Sequence, residues 1–177
     1  VPPFSAGVVG YLGYDVVRRF ERLPTAPPDP EGLPDSVLLV PSEIVVVDHH
    51  EGTTDILVHG SGGATRLEVI RAHLERTSER ASERASAAPG PGEAVELRPR
   101  TPRPQFETGV ETILEQIRAG DLFQGVLSQR FEAVFDQEPL DLYRVLRETN
   151  PSPYMYFLKL GPDHAVLGSS PEVLVSL

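Results

Sequence analysis

Residues 119–131, Ala-Gly-Asp-Leu-Phe-Gln-Gly-Val-Leu-Ser-Gln-Arg-Phe, constrain the fold more than any other stretch. An amphipathic pattern runs into them, Gly120 breaks it, and a strand-like run leaves. Within that run Gln124, Ser128, Gln129 and Arg130 stand among large apolar residues. On a buried strand each polar group needs a partner, because burying one unpaired costs its hydration. Alternation puts Gln124, Val126, Ser128 and Arg130 on one face and Gly125, Leu127, Gln129 and Phe131 on the other. Both faces mix polar and apolar groups, which predicts a strand over 124–131 beside a site.

The flanking pattern predicts what this strand packs on. Phe106, Val110, Ile113, Leu114 and Ile117 fall on one helical face. Pro104 suits a first turn and Gly120 a C-terminal stop. A helix over 105–119 is expected, burying Val110, Ile113, Leu114 and Ile117 against a sheet. A second helix over 141–149 would bury Leu142, Tyr143 and Leu146 and stop at Asn150-Pro151. A hairpin follows, with strands at 154–160 and 164–168. Ser169-Ser-Pro-Glu172 should kink the chain before a last strand at 173–177.

Upstream, the apolar run 5–12 carries Gly7 and Gly10, with Gly13 just beyond. Glycines there permit close backbone approach, whereas a phosphate loop would need a preceding strand and a different spacing. Residues 15–21 read as a short helix or turn. Five prolines between 24 and 34 make an extended connection. Strand pieces are expected on either side of Pro41 within 36–47, with a polar turn at 48–54 and a returning strand at 55–59. Residues 64–85 have helical composition, with Leu67, Ile70 and Leu74 as a stripe and a solvated second half. The proline-rich 87–104 is expected to be a flexible linker.

A net charge of −10 argues against nucleic acid or an anionic membrane as partner, since both need a basic surface. The absence of cysteine excludes disulfides and thiolate metal sites. No apolar run approaches the ~20 residues of a membrane span. A cytoplasmic protein is expected. Val1 is not an initiator methionine and the final strand stops without a turn, which suggests one truncated α+β domain over 1–177.

Familiar catalytic motifs are missing: there is no nucleophile elbow, P-loop or H-E-x-x-H. His49 and His50 lack ligand spacing and suit a solvated hairpin tip. Asp121 suits a turn. Glu172 could accept buried hydrogen bonds or act as an acid. These residues alone support an α+β domain and no particular chemistry.

Three blocks in order carry a resemblance: residues 120–131, Asn150-Pro-Ser-Pro-Tyr-Met155 and Gly168-Ser-Ser-Pro-Glu172. Together they resemble the large synthase subunit of anthranilate synthase (component I), of the chorismate-utilising enzymes. Gly10-Tyr-Leu-Gly-Tyr-Asp15 and Val17-Arg-Arg-Phe-Glu21 are similar to an earlier block of that subunit. The resemblance implies antiparallel sheets packed in a sandwich with flanking helices, incomplete in this chain. It implies conversion of chorismate and ammonia to anthranilate and pyruvate with Mg²⁺, in tryptophan biosynthesis. A partner glutamine amidotransferase subunit would supply the ammonia, and tryptophan would be the feedback inhibitor. The family's metal-binding glutamates and the groups around chorismate belong to a C-terminal part beyond these blocks. No catalytic or metal-binding residue is therefore expected in this chain, and the fragment alone is expected to be inactive.

Carried over residue by residue, Asn150, Pro151, Ser152, Pro153, Tyr154 and Met155 match the motif lining the tryptophan pocket. The prolines fix the backbone and leave carbonyls free to accept from an ammonium group. Tyr154 and Met155 offer apolar, polarisable surface to an indole. Without the resemblance, the same residues read as a stiffened helix-to-strand turn. Gln124 is the pocket-lining candidate. In the isochorismate and salicylate synthases the equivalent position resembles a lysine that activates water, and a glutamine cannot act as that base. Two alternatives remain: aminodeoxychorismate synthase component I of the folate route, and a non-catalytic amino-acid-binding scaffold.

Overall fold

The computed structural model describes residues 4–26, 28, 29, 31–84 and 95–176, with 78–84 as backbone only. The described residues fall into two units, one within 1–88 and 152–177 and the other within 89–151. The class is α+β, and among the described residues the sheets are four two-stranded antiparallel ladders.

The first unit begins with β1 (Val9–Leu12) paired to β2 (Ser36–Leu39), Gly10 lying opposite Leu38. A side chain at Gly10 would run into the Val37 carbonyl, so the glycine permits the close approach. A 3-10 turn, Tyr14–Arg19, follows β1, and Arg18 pairs there with Asp15 at 2.5 Å. Beyond Pro41, β3 (Glu43–Asp48) and β4 (Thr53–Val58) form a hairpin. The Asp48 carboxylate closes its turn, accepting from the backbone N–H of His50 (2.8 Å) and Glu51 (2.9 Å). Those two hydrogen bonds lower the Asp48 pKa, with a smaller contribution from His49.

Helix α1 (Gly63–Arg84) packs on β4. Arg66 joins the helix to the hairpin. Its guanidinium meets Glu43 at 2.7 Å, Ser42 Oγ at 3.0 Å and the His59 carbonyl at 3.1 Å. The same unit contains the hairpin of β7 (Tyr154–Lys159) and β8 (Ala165–Ser170).

In the second unit, β5 (Arg98–Pro99) pairs with β6 (Phe131–Glu132). The Glu132 carboxylate bridges Arg100 at 2.7 Å and Arg130 at 2.9 Å. Helix α2 (Arg103–Ala119) has Pro104 in its first turn. It ends at Gly120, whose left-handed φ of 86° lets its own N–H and that of Asp121 close onto the last turn. Helix α3 (Pro139–Thr149) starts at a proline and ends as the Asn150 N–H donates to the Leu146 carbonyl at 2.9 Å.

Several expectations change, including burial of Leu142 on α3, which is exposed. Residues 124–130 are not a strand: the ladder takes in only 131 and 132, the Arg130 carbonyl accepts from the Arg100 N–H at 2.9 Å, and the run before it has a helix beside it instead of a neighbouring strand. Helix α2 accordingly meets that run and not a sheet, with Ile113 half-buried and Val110 and Leu114 exposed. The hairpin continues through Gly168-Ser-Ser170, and no strand forms over 173–176. Glu172 is exposed and buries no carboxylate; its backbone carbonyl accepts from Ser170 Oγ at 3.1 Å. The expected linker 87–104 lies outside the described residues over 87–94; its remainder carries β5 and the start of α2.

None of the described residues is fully buried. The apolar faces are half-covered hairpins and helices, with Val126 at 84% and Phe123 at 105% exposure.

Candidate functional site

The chain from 150 to 155 is a helix stop followed directly by a strand start. Asn150 caps α3. Pro151 and Pro153 deny donors to any ladder, so pairing begins only at Tyr154. Along β7 the side chains alternate: Met155 is half-buried beside its cross-strand partner Ser169, while Tyr154, opposite Ser170, is 48% exposed.

This ladder brings two separated sequence blocks together. Tyr154 faces Ser170, Met155 faces Ser169 and Tyr156 faces Gly168. The hydroxyl of Ser152 is enclosed and has no hydrogen-bond partner. An enclosed donor-acceptor without a partner is costly, and a polar ligand group or a water would relieve it. His164 Nε2, at the far end of the hairpin, is enclosed without a partner as well, and no sequence pattern singled it out.

Gln124 lies in the other unit, on the run between Gly120 and β6, with its side chain exposed. The next residue, Gly125, seats Ile113 of α2, and Gln129 donates from Nε2 to the Thr101 carbonyl at 2.9 Å. The alternation expected of a strand therefore survives without the strand. Gly125, Leu127 and Gln129 turn toward α2 and the 98–101 segment, whereas Val126 turns to solvent. Sequence reasoning missed Gly109, the helix position that receives Leu127. The available signal was a glycine inside an otherwise regular helix.

A groove of about 560 Å³ between β4 and α1 is lined by Thr54, Asp55, Ile56, Leu67, Arg71, Leu74 and Glu75, and none of the residues predicted to bind a ligand lines it. Among the described residues no three His, Asp or Glu side chains converge to hold a metal ion. No described helix is long and apolar enough to cross a membrane.

Comparison with known proteins covers both units. The model of the chorismate binding enzyme family matches residues 2–177. Anthranilate synthase component 1 of Mycobacterium tuberculosis is 40% identical over 100% of this chain and 37% of its own length. The Pseudomonas aeruginosa protein of the same name is 42% identical over 99% of this chain and 37% of its own. The crystal structure of anthranilate synthase component I from Streptococcus pneumoniae superposes with a TM-score of 0.68 at 36% identity, covering 96% of this chain and 39% of that one. The chain thus spans little more than a third of the length of these relatives.

Proposed function

The chain belongs to the chorismate-binding enzymes, and on that premise we propose that it is part of an anthranilate synthase component 1. The whole protein then converts chorismate and ammonia to anthranilate, pyruvate and water. The ammonia comes from glutamine through a partner amidotransferase subunit. Mg²⁺ and the groups that perform elimination belong to parts of the protein beyond these residues. The observation that carries this reading is the β7–β8 ladder, which sets Tyr154 and Met155 directly against Ser170 and Ser169. Two blocks that resemble the same subunit in sequence are thereby neighbours in space. Identity near 40% across the full chain supports it.

Regulation by tryptophan is part of the proposal. Asn150, Pro151, Ser152, Pro153, Tyr154 and Met155 would line the inhibitor site. The unpartnered Ser152 hydroxyl and the half-buried Met155 suit an amino acid with a large apolar side chain.

The test is the full-length protein with chorismate, Mg²⁺ and ammonium, followed by anthranilate fluorescence and product chromatography. Anthranilate with pyruvate supports the reading. Aminodeoxychorismate without pyruvate would move the protein to the folate branch, and no turnover of chorismate would refute both. Tryptophan should inhibit, and Met155→Thr or Pro153→Ser should weaken inhibition while leaving uninhibited turnover largely intact. Unchanged inhibition constants in both variants would remove these residues from the inhibitor site.

A further inference from the structure

Helix α2 and the run 124–129 interlock through two glycines. A Cβ on Gly125 would stand 2.5 Å from Ile113 Cγ2 and 3.5 Å from its Cδ1. A Cβ on Gly109 would stand 2.8 Å from Leu127 Cδ2. Each element therefore offers a notch to a branched side chain of the other, and the two run in opposite directions. The spacing fits: four helical residues advance about 6 Å and two extended residues about 6.6 Å. Gln129, one more extended step along, is tied by its carboxamide to the Thr101 carbonyl.

We propose that Gly125 and Gly109 are positioning residues that fix the register of this run on α2 and so decide that Gln124 and Ser128 are the side chains it presents outward. A slip by one residue would exchange the two faces and turn Gln124 toward the helix. The two notches differ in stringency. Ile113 is β-branched and held to one χ1 rotamer on a helix, so its Cγ2 cannot swing away. Leu127 Cδ2 is the far end of a flexible side chain and can move. Gly125 is thus the demanding position and Gly109 the tolerant one.

This inference rests on the proposed chorismate-using function, because it assigns the outward face to the reacting pocket. The experiment uses the full-length protein and measures ammonia-dependent anthranilate formation. Gly125→Ala should lose roughly ten- to a hundredfold in kcat/KM, as ångström-scale misplacement does. Adding Ile113→Leu, which deletes the Cγ2 branch and keeps the volume, should restore most of it. Gly109→Ala should lose far less than Gly125→Ala. Wild-type activity in Gly125→Ala, or a loss that Ile113→Leu does not restore, overturns the proposal. If Gly125→Ala does not fold, the double variant decides: recovery of fold and activity supports the notch, and failure to recover refutes it. If the wild-type protein makes no anthranilate, the functional reading fails. Amide exchange at Arg100, whose N–H donates to the Arg130 carbonyl at 2.9 Å where the run joins β6, then still tests the notch, with protection expected to fall in Gly125→Ala and return in the double variant.

Discussion

The ring of Tyr156 lies across Gly168, its partner on the opposite strand, so closely that a Cβ at 168 would stand 2.5 Å from the ring Cζ. The glycine makes room for the ring, and the ring covers backbone that a side chain would otherwise shield. Gly168→Ala must push the ring aside. The ring is 42% exposed and can swing, so the cost should sit near the low end for overpacking, about 1 kcal/mol. Tyr156→Val in the same chain should recover most of it. Equal stability of Gly168→Ala and the parent by denaturant titration would show that the ring is not held over this position.

Arg66 should be irreplaceable by lysine. It reaches Glu43, Ser42 Oγ and the His59 carbonyl at once, which needs the planar fork of a guanidinium. A lysine can keep the charge near Glu43 but not all three partners. With the Arg66 side chain 33% exposed, screening discounts the ion pair, and the expected loss in Arg66→Lys is about 1 kcal/mol. Faster amide exchange at His59, whose N–H donates to the Ser42 carbonyl at 2.8 Å, should accompany it. Unchanged exchange there would mean the α1 contact does not brace the hairpin.

At the hairpin tip, the hydrogen bonds from the Glu51 and His50 amides favour the charged form of Asp48 and pull its pKa down. A depressed carboxylate contributes stability that is present above its unfolded pKa and is lost as pH falls through the folded one. The β3–β4 turn should therefore loosen only in acid, below the ordinary aspartate range. An NMR titration of the Asp48 carboxyl carbon should give a midpoint below that of a free aspartate. A midpoint at or above the free value would show that the two amide hydrogen bonds do not form in solution.

The parts legible in the sequence are those specified by neighbours along the chain. Pro104, the apolar spacing from Phe106 to Ile117 and Gly120 are local signals, and α2 follows them nearly residue for residue. The same holds for β2 and β3 on either side of Pro41 and for the stop at Asn150. What stayed hidden depends on distant partners. Alternation sorted the two faces over 124–129, yet a strand also needs another strand, and the neighbour turned out to be a helix notched at Gly109. Gly168, Ser169 and Ser170 have weak strand propensity and joined β8 because Tyr154, Met155 and Tyr156 hold them in register. In the candidate site, the motif residues were visible as a block, whereas the enclosed Ser152 hydroxyl required the folded chain.

Gln124 offers the sharpest chemical test. Its side chain is exposed in this structure, on the face that Gly125 and Leu127 leave free by turning toward α2. In the proposed enzyme that face borders the chorismate pocket, and a neutral carboxamide there can orient a substrate without taking a proton. A lysine would bring an amine that must either lose its proton in the closed pocket or remain charged and desolvated, and the second state is costly without a partner. A neutral amine would act as a base toward water, which is the chemistry the carboxamide excludes. Gln124→Lys in the full-length protein should therefore lose most anthranilate formation from chorismate, Mg²⁺ and ammonium. Any water-addition product should rise with pH as the amine deprotonates. Chromatography of the product mixture reads both outcomes. Wild-type anthranilate rates in Gln124→Lys would place the residue away from the reacting centre and break the physical link between this position and the choice of ammonia over water.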